Sequence, residues 1–310
     1  MHRGRHAIRA TLMHLHRAPV TRRITRRINT FKEKKFTTFA AVYAGIVGGG
    51  YCLTYIAAHD RVPFTNRRRL NLVPVGIEKL LGESVLANAV REGPVLNPEL
   101  DACAARVERI AAALRSGNPE LLPSGLLDKL VVIDSPTVNA ATLPGGHVVV
   151  YRGLVEAFPN DDMLATVLAH EYGHAAAHHV SEGLTDTATV LIPMFIVPAI
   201  VVASAMGSDS ESIIDISKTI YTWTLSLPSS RTHEYEADRL GLQIMARARF
   251  DPRAAPKVYR HFKACSGKKN DFDLHSTHPD GEKRATRVEA LLPEALPLFY
   301  TAFEESMEKH

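Results

Sequence analysis

His170-Glu171-Tyr172-Gly173-His174 sets two imidazoles four residues apart, with a glutamate directly after the first. On an α-helix, positions i and i+4 share a face, so both side chains can reach one metal ion. Glu171 lies at the flank of that face, where it can take a proton from an attacking water. Zinc suits the pair, because it accepts neutral imidazole nitrogen and keeps a coordination position open in catalytic sites. The motif belongs to a longer run, VLAHEYGHAAAHH (167–179), which adds His178 and His179. A helix with spare histidines is the plain alternative.

Two histidines need a third protein ligand. SSRTHEYEADRLG (229–241) carries the best candidates, Glu234 and Asp238, at i and i+4 on one helical face. One can bind the metal while the other orients an imidazole. Glu236 points away from that face and is expected to be solvated. In LHSTHPDGEKR (274–284), His278 precedes a proline in a loop and Arg284 opens a helix. A loop histidine beside zinc would stabilise an oxyanion or cap the metal; an exposed histidine is the alternative.

The elements that must position these residues follow from pattern. DKLVVIDSP (128–136) and GHVVVYRG (146–153) are β-branched runs that read as strands, joined by TVNAATLPG with its turn residues. The strand after TLPGG is expected to be the edge on which an extended substrate adds. The helix carrying the histidines begins at PNDD, with Asn160 as N-cap and two aspartates at the positive end of its dipole. Upstream, Val107, Ile110 and Leu114 share one face of a helix.

The first third of the chain has a different character. Eight arginines precede residue 28, and the first acid is Glu33. Such a basic, amphipathic, acid-free start has the composition of a mitochondrial presequence, so residues 1–35 are expected to be a presequence or matrix-side tail. Residues 36–58 carry no charge and are long enough for a transmembrane helix, although Gly48-Gly49-Gly50 weakens it. Residues 59–75 read as a basic juxtamembrane linker or as an ordered arm packed on the domain that follows, which spans 76–310. A second uncharged stretch, 187–208, lies between two groups that must meet at one metal. Pro193, Pro198, and the later Asp215 and Lys218 argue for a kinked, membrane-embedded or membrane-lying segment over a spanning hairpin. Three scattered cysteines without a CxxC pair exclude a disulfide framework and a cysteine zinc site. Outside its N-terminus the chain is close to neutral, so nucleic acid is not an expected partner.

HEYGH, SSRTHEYEADRLG, DPRAAPKVYRHF and STHPDGEKR occur in the order found in membrane zinc metallopeptidases that include the heat-shock protease HtpX and the CaaX prenyl endopeptidase. VPFTNRRRLNLV and NAATLPGGHVVVYRGLV resemble the mitochondrial inner-membrane OMA-type branch, with activity overlapping the m-AAA protease. The resemblance covers about residues 60–296. It implies an α+β, mostly helical, gluzincin-like domain with a small sheet behind a transmembrane helix. It makes His170, His174 and Glu234 ligands of one Zn2+ per chain and Glu171 the general base. His278 matches the loop histidine near the zinc, Asp238 a supporting carboxylate, Arg284 the arginine that follows that loop, and His179 a further family histidine after HExxH; His178 has no match. It further implies ATP-independent endopeptidase activity on protein substrates in or near the lipid bilayer, including dynamin-like GTPases, in stress response and quality control. The expected place is the inner mitochondrial membrane, single-pass, with the peptidase facing the intermembrane space and a homo-oligomer allowed. The rival is a non-catalytic quality-control scaffold with a structural zinc.

Overall fold

The computed structural model describes residues 38, 41–56, 59–62, 64–123, 125, 129–191, 193, 198, 230–265 and 281–307. The expected presequence or matrix-side tail at 1–35, most of 187–208 and the stretch bearing His278 lie outside them. The chain divides into two units, 1–57 and 58–310.

In the first unit, residues 41–56 are helical straight through the three glycines. Val42, Ile46, Leu53 and Ile56 are all exposed. Among the described residues, no helix is long and apolar enough to cross a membrane. The expected span at 36–58 is thus described as a helix only over 41–56.

The second unit is mostly helical with small sheets. It opens with a hairpin, β1 (His59–Arg61) and β2 (Arg68–Leu70), paired antiparallel. Of the two readings of this stretch, the ordered arm is the one seen. Val62, Arg69 and Leu70 are buried, and an Arg69 Nη1–H donates to the carbonyl of Ala177. Two helices follow, α1 (Val75–Ala89) and α2 (Ala102–Ser116). Asp101 caps α2, and its Val107, Ile110 and Leu114 are all fully buried.

The three-stranded sheet contains β3 (Leu130–Ile133), β4 (Ala140–Thr142) and β5 (Val148–Tyr151), in the order β3-β5-β4. β5 runs parallel to β3 and antiparallel to β4. This corrects the expected edge. The strand after TLPGG is the central one, and its VVVY run is buried throughout, as a strand covered on both faces must be. The edge nearest the histidine helix is β4, which lies inside what reads in sequence as a connecting turn. AAT is too short and too small in side chain to register as a strand on its own. The far edge is covered where Val95 bridges Ile133.

Short α3 (Arg152–Ala157) leads into α4 (Asp161–Ala176), the helix that runs through the core. Asn160 Oδ1 accepts from the amides of Asp162 and Met163, as the sequence suggests. The next helix, α5 (His179–Leu191), starts after a break at Ala177–His178, where His178 has φ +53°. α6 (Arg231–Arg247), α7 (Ala255–Cys265) and α8 (Gly281–Met307) close over α4. Leu164, Leu168 and Tyr172 of α4, Leu240, Ile244 and Met245 of α6, and Val258 and Val288 share one apolar core with α2 and the sheet.

Candidate functional site

α4 and α6 touch backbone to backbone, and glycines make that approach possible. A Cβ on Gly173 would stand 2.7 Å from the carbonyl oxygen of Ala237, and one on Gly241 would stand 3.1 Å from the backbone of His170. With nothing between them, the helices bring Glu234 to the histidines across 60 residues of sequence. Ser230 caps α6 by accepting from the His233 amide, which sets Glu234 in the first turn.

His170, His174 and Glu234 are all buried, and one donor atom from each lies within 4.8 Å of the others. His170 Nε2 and His174 Nε2 are 3.1 Å apart. Glu234 Oε2 is 3.4 Å from His170 Nε2, and its Oε1 is 3.4 Å from His174 Nε2. Zinc–nitrogen bonds of about 2.0–2.1 Å in a tetrahedron give donor separations of about 3.3–3.4 Å. The two imidazole nitrogens sit slightly closer than that and each is 3.4 Å from a different Glu234 oxygen, so the set is near that spacing, and two imidazoles with one carboxylate form a zinc donor set.

Asp238, one turn beyond Glu234, lies 3.1 Å from His170 Nδ1 with its Oδ1. The same oxygen accepts from Tyr259 Oη–H at 2.6 Å and from Arg284 Nη2–H at 2.6 Å; Arg284 Nε–H donates to Oδ2 at 3.0 Å. Arg284 also pairs with Glu234 at 3.2 Å and lies over the Tyr259 ring at 4.2 Å. Burial would raise the Asp238 carboxyl, but the charge of Arg284 and the bonds from His170 and Arg284 hold it well below the usual range. Burial and Arg284 both push His170 down, yet Asp238 and Glu234 outweigh them and hold it up at about 9. That proton and a metal compete for the same nitrogen, so metal binding releases it. His174 is pushed down to about 3, chiefly by burial, and is a neutral imidazole.

Glu171 is oriented by the edge strand. Thr142 N–H donates to Glu171 Oε2 at 2.7 Å, and the Thr142 hydroxyl donates to the Glu171 carbonyl at 2.6 Å and lies 2.9 Å from Oε2. Glu171 also lines a small recess, together with Val167, His170, Val258, Tyr259, Phe262 and Arg284.

A second cluster adjoins the first. Glu236 is buried, not solvated: its Oε2 lies 2.9 Å from His179 Nε2 and accepts from Arg67 Nε–H at 2.8 Å, while Thr65 Oγ1–H donates to its Oε1. Arg67 also grips Glu182 with two bonds of 2.6 and 2.7 Å, and Glu182 lies 3.4 Å from His233. His179 Nδ1 is 2.9 Å from His174 Nδ1. The helical spacing that places Glu236 off the Glu234–Asp238 face is right; what lies beyond that face is the arm carrying Arg67, which no local pattern reveals. His178 contacts Glu78 at 3.4 Å.

The structure therefore brings together His170, Glu171, His174, Glu234, Asp238, Arg284 and His179. His278 lies outside the described residues. Sequence named Glu236 only as a solvated residue and gave no role to Thr142, Tyr259, Glu182, His233 or Arg67; all of these but Glu182 stand in quoted motifs.

Residues 103–292 match the model of Peptidase family M48. The chain is 34% identical over 270 residues to the mitochondrial metalloendopeptidase OMA1 of Schizosaccharomyces pombe, covering 85% of this chain and 74% of that protein. To the protein of the same name in Saccharomyces cerevisiae it is 28% identical, over 87% of this chain and 80% of the relative. The Arabidopsis thaliana protein of that name matches at 38% over 52% of this chain, which spans only 31% of that longer relative.

Proposed function

The chain belongs to peptidase family M48 and is a metalloprotease of the HExxH type, and we propose that it is a membrane-anchored, ATP-independent zinc endopeptidase of the inner mitochondrial membrane. The relatives' names support the mitochondrial setting, and the presequence-like composition of 1–35 supports import. The uncharged 36–58 stretch supports a single anchor with the peptidase unit in the intermembrane space, where protein substrates in or near the bilayer are processed in stress response and quality control. Dynamin-like GTPases are the substrate class that the family resemblance suggests.

The observation that carries the enzymatic reading is the convergence of His170 Nε2, His174 Nε2 and Glu234 beside a carboxylate fixed by Thr142. His170, His174 and Glu234 would hold the zinc. A zinc ion there supplies Lewis acidity, polarising the scissile carbonyl and acidifying the attacking water. Glu171 accepts the proton of that water and returns it to the leaving amine. Thr142 keeps the carboxylate aimed while it is charged. Asp238 accepts from His170 Nδ1–H and so leaves Nε2 as the metal-binding atom. Arg284 neutralises Asp238 and Glu234 in the buried site. β4, whose outer side faces Glu171, is the strand to which an extended peptide adds. His278 is assigned oxyanion stabilisation or metal capping from its motif alone.

The decisive experiment is Glu171→Gln. Cleavage of membrane-protein substrates should fall by about 10²–10⁴-fold, the range for a positioned general base, with zinc retained. Undiminished cleavage with zinc bound would sink the peptidase reading and leave the scaffold with a structural zinc.

A further inference from the structure

His179 has no part in the mechanism above, yet it is buried between a candidate zinc ligand and a carboxylate. A carboxylate only accepts, so the contact from His179 Nε2 to Glu236 Oε2 places a hydrogen on Nε2. His174 Nε2 is the atom that faces His170 and Glu234, so an imidazole that binds a metal there carries its hydrogen on Nδ1. That hydrogen is donated to His179 Nδ1, 2.9 Å away, which accepts it while the hydrogen of His179 itself goes to Glu236. Through one intervening imidazole, Glu236 selects the nitrogen that His174 offers to a metal.

The carboxylate is itself held from outside the two helices. Arg67 and Thr65 reach it from the turn between β1 and β2, and Arg67 simultaneously grips Glu182. That turn adopts left-handed backbone at Phe64 (φ +66°) and Asn66 (φ +58°). It is closed by bonds from Val62 N–H to Arg67 O at 2.9 Å and from Asn66 N–H to Val62 O at 3.0 Å. Left-handed backbone at a phenylalanine is unusual and persists only where the surroundings fix it.

We infer that Arg67 and Glu236 are positioning residues of the zinc site: the hairpin turn holds Glu236, Glu236 fixes the hydrogen of His179, and His179 sets the metal-binding tautomer of His174. The hairpin arm that opens the second unit is on this account part of the metal site. The inference rests on the zinc reading of His170, His174 and Glu234, and neither Arg67 nor Glu236 touches a reacting atom.

The test uses the full chain in detergent, with the zinc dissociation constant read by competition against a chromophoric chelator. Cobalt(II) absorption supplies a second readout of ligand geometry. Glu236→Gln keeps the shape but exchanges an anionic acceptor for an amide that donates as well as accepts. Arg67→Lys keeps the charge but cannot bridge two carboxylates with a planar fork. The zinc constant should rise by about 10–100-fold in Glu236→Gln, the usual cost of losing a partner behind a metal ligand, and by less in Arg67→Lys. The cobalt spectrum should shift in both. A merely structural role would lower the melting midpoint of the zinc-free protein and leave the constant and spectrum of the folded protein unchanged; that result overturns the inference. Should one variant not fold, the other decides. A wild-type chain that takes up no zinc overturns the metal reading and this inference with it, whereas tight wild-type binding with unaffected variants removes this inference alone.

Discussion

Two histidine–carboxylate clusters sit side by side on α4, α5 and α6, and they differ in where their positive charge comes from. Around His170 and His174 stand three carboxylates, Glu171, Glu234 and Asp238, and one guanidinium, Arg284. Around His179 and His233, whose rings stack at 4.4 Å, stand Glu182 and Glu236, and the guanidinium of Arg67 spans both. Buried charge must be paired or coordinate a metal. The second cluster is closed by its own chain. In the first, one donor atom from each of His170, His174 and Glu234 is turned toward the others, which is the arrangement a divalent cation completes. Residue types alone do not distinguish the two; the direction of the donors does.

The comparison breaks most sharply at Glu234. In Glu234→Ala, zinc affinity should fall by more than the roughly 10–100-fold expected for a residue behind the ligands, and cleavage should fall to background while the second cluster stays intact. Metal content after dialysis checks this, and full zinc retention would move the third ligand elsewhere. The matching change in the closed cluster is Glu182→Ala, which should cost stability before it costs chemistry. Breaking a buried pair costs about 3–5 kcal/mol, and about 2–3 is expected here because Arg67 keeps Glu236 and some solvent. Urea unfolding of the zinc-free chain measures it, and an unchanged midpoint would mean the cluster does not brace the fold.

Acid should open the closed cluster. Burial raises the Glu182 carboxyl, but hydrogen bonds from Arg67 and His233 reverse that and lower it to about 2. It is faced by Arg67 from the hairpin and His233 from α6, with Asp186 one turn along α5, whose own carboxyl burial pushes up. A depressed carboxyl contributes its full stability above the ordinary value of 4.5 and loses it as pH falls toward about 2. Amide exchange in β1 and β2 of the zinc-free chain should therefore speed up across that window; protection that persists to pH 2 would contradict the ion-pair account. The smallest effect belongs to the hinge between the clusters. His178→Gly should change stability by less than about 1 kcal/mol, since relief of left-handed strain offsets the entropy gained by the unfolded chain, whereas His178→Val should cost about 1–2 kcal/mol. Melting midpoints of the two variants separate these outcomes.

Much of the first cluster was legible because its residues are local. Two histidines one turn apart, a helix cap at Asn160, and Glu234 with Asp238 one turn apart are all patterns of period 3.6. The second cluster was not legible, because its cation lies more than 100 residues upstream in a stretch that sequence alone left open as linker or arm. His179 was opaque for a related reason. On a continuous helix, a residue five positions after His174 would lie about 140° away around the axis. The left-handed turn at His178 swings it back, so a residue that looked idle in sequence sets the direction of its neighbour. The sheet was half legible: β3 and β5 announced themselves by branched side chains, while β4, the strand that holds Glu171, is two alanines and a threonine.

Gly173 and Gly241 also set how little the site can change where its halves meet. Glu234 is held at the imidazoles by the crossing of two helices. A single methyl at Gly173 would press within 2.7 Å of the Ala237 carbonyl oxygen. The enzyme is thus intolerant of one carbon at that crossing, because a shift that makes room for it moves Glu234 away from both histidines at once.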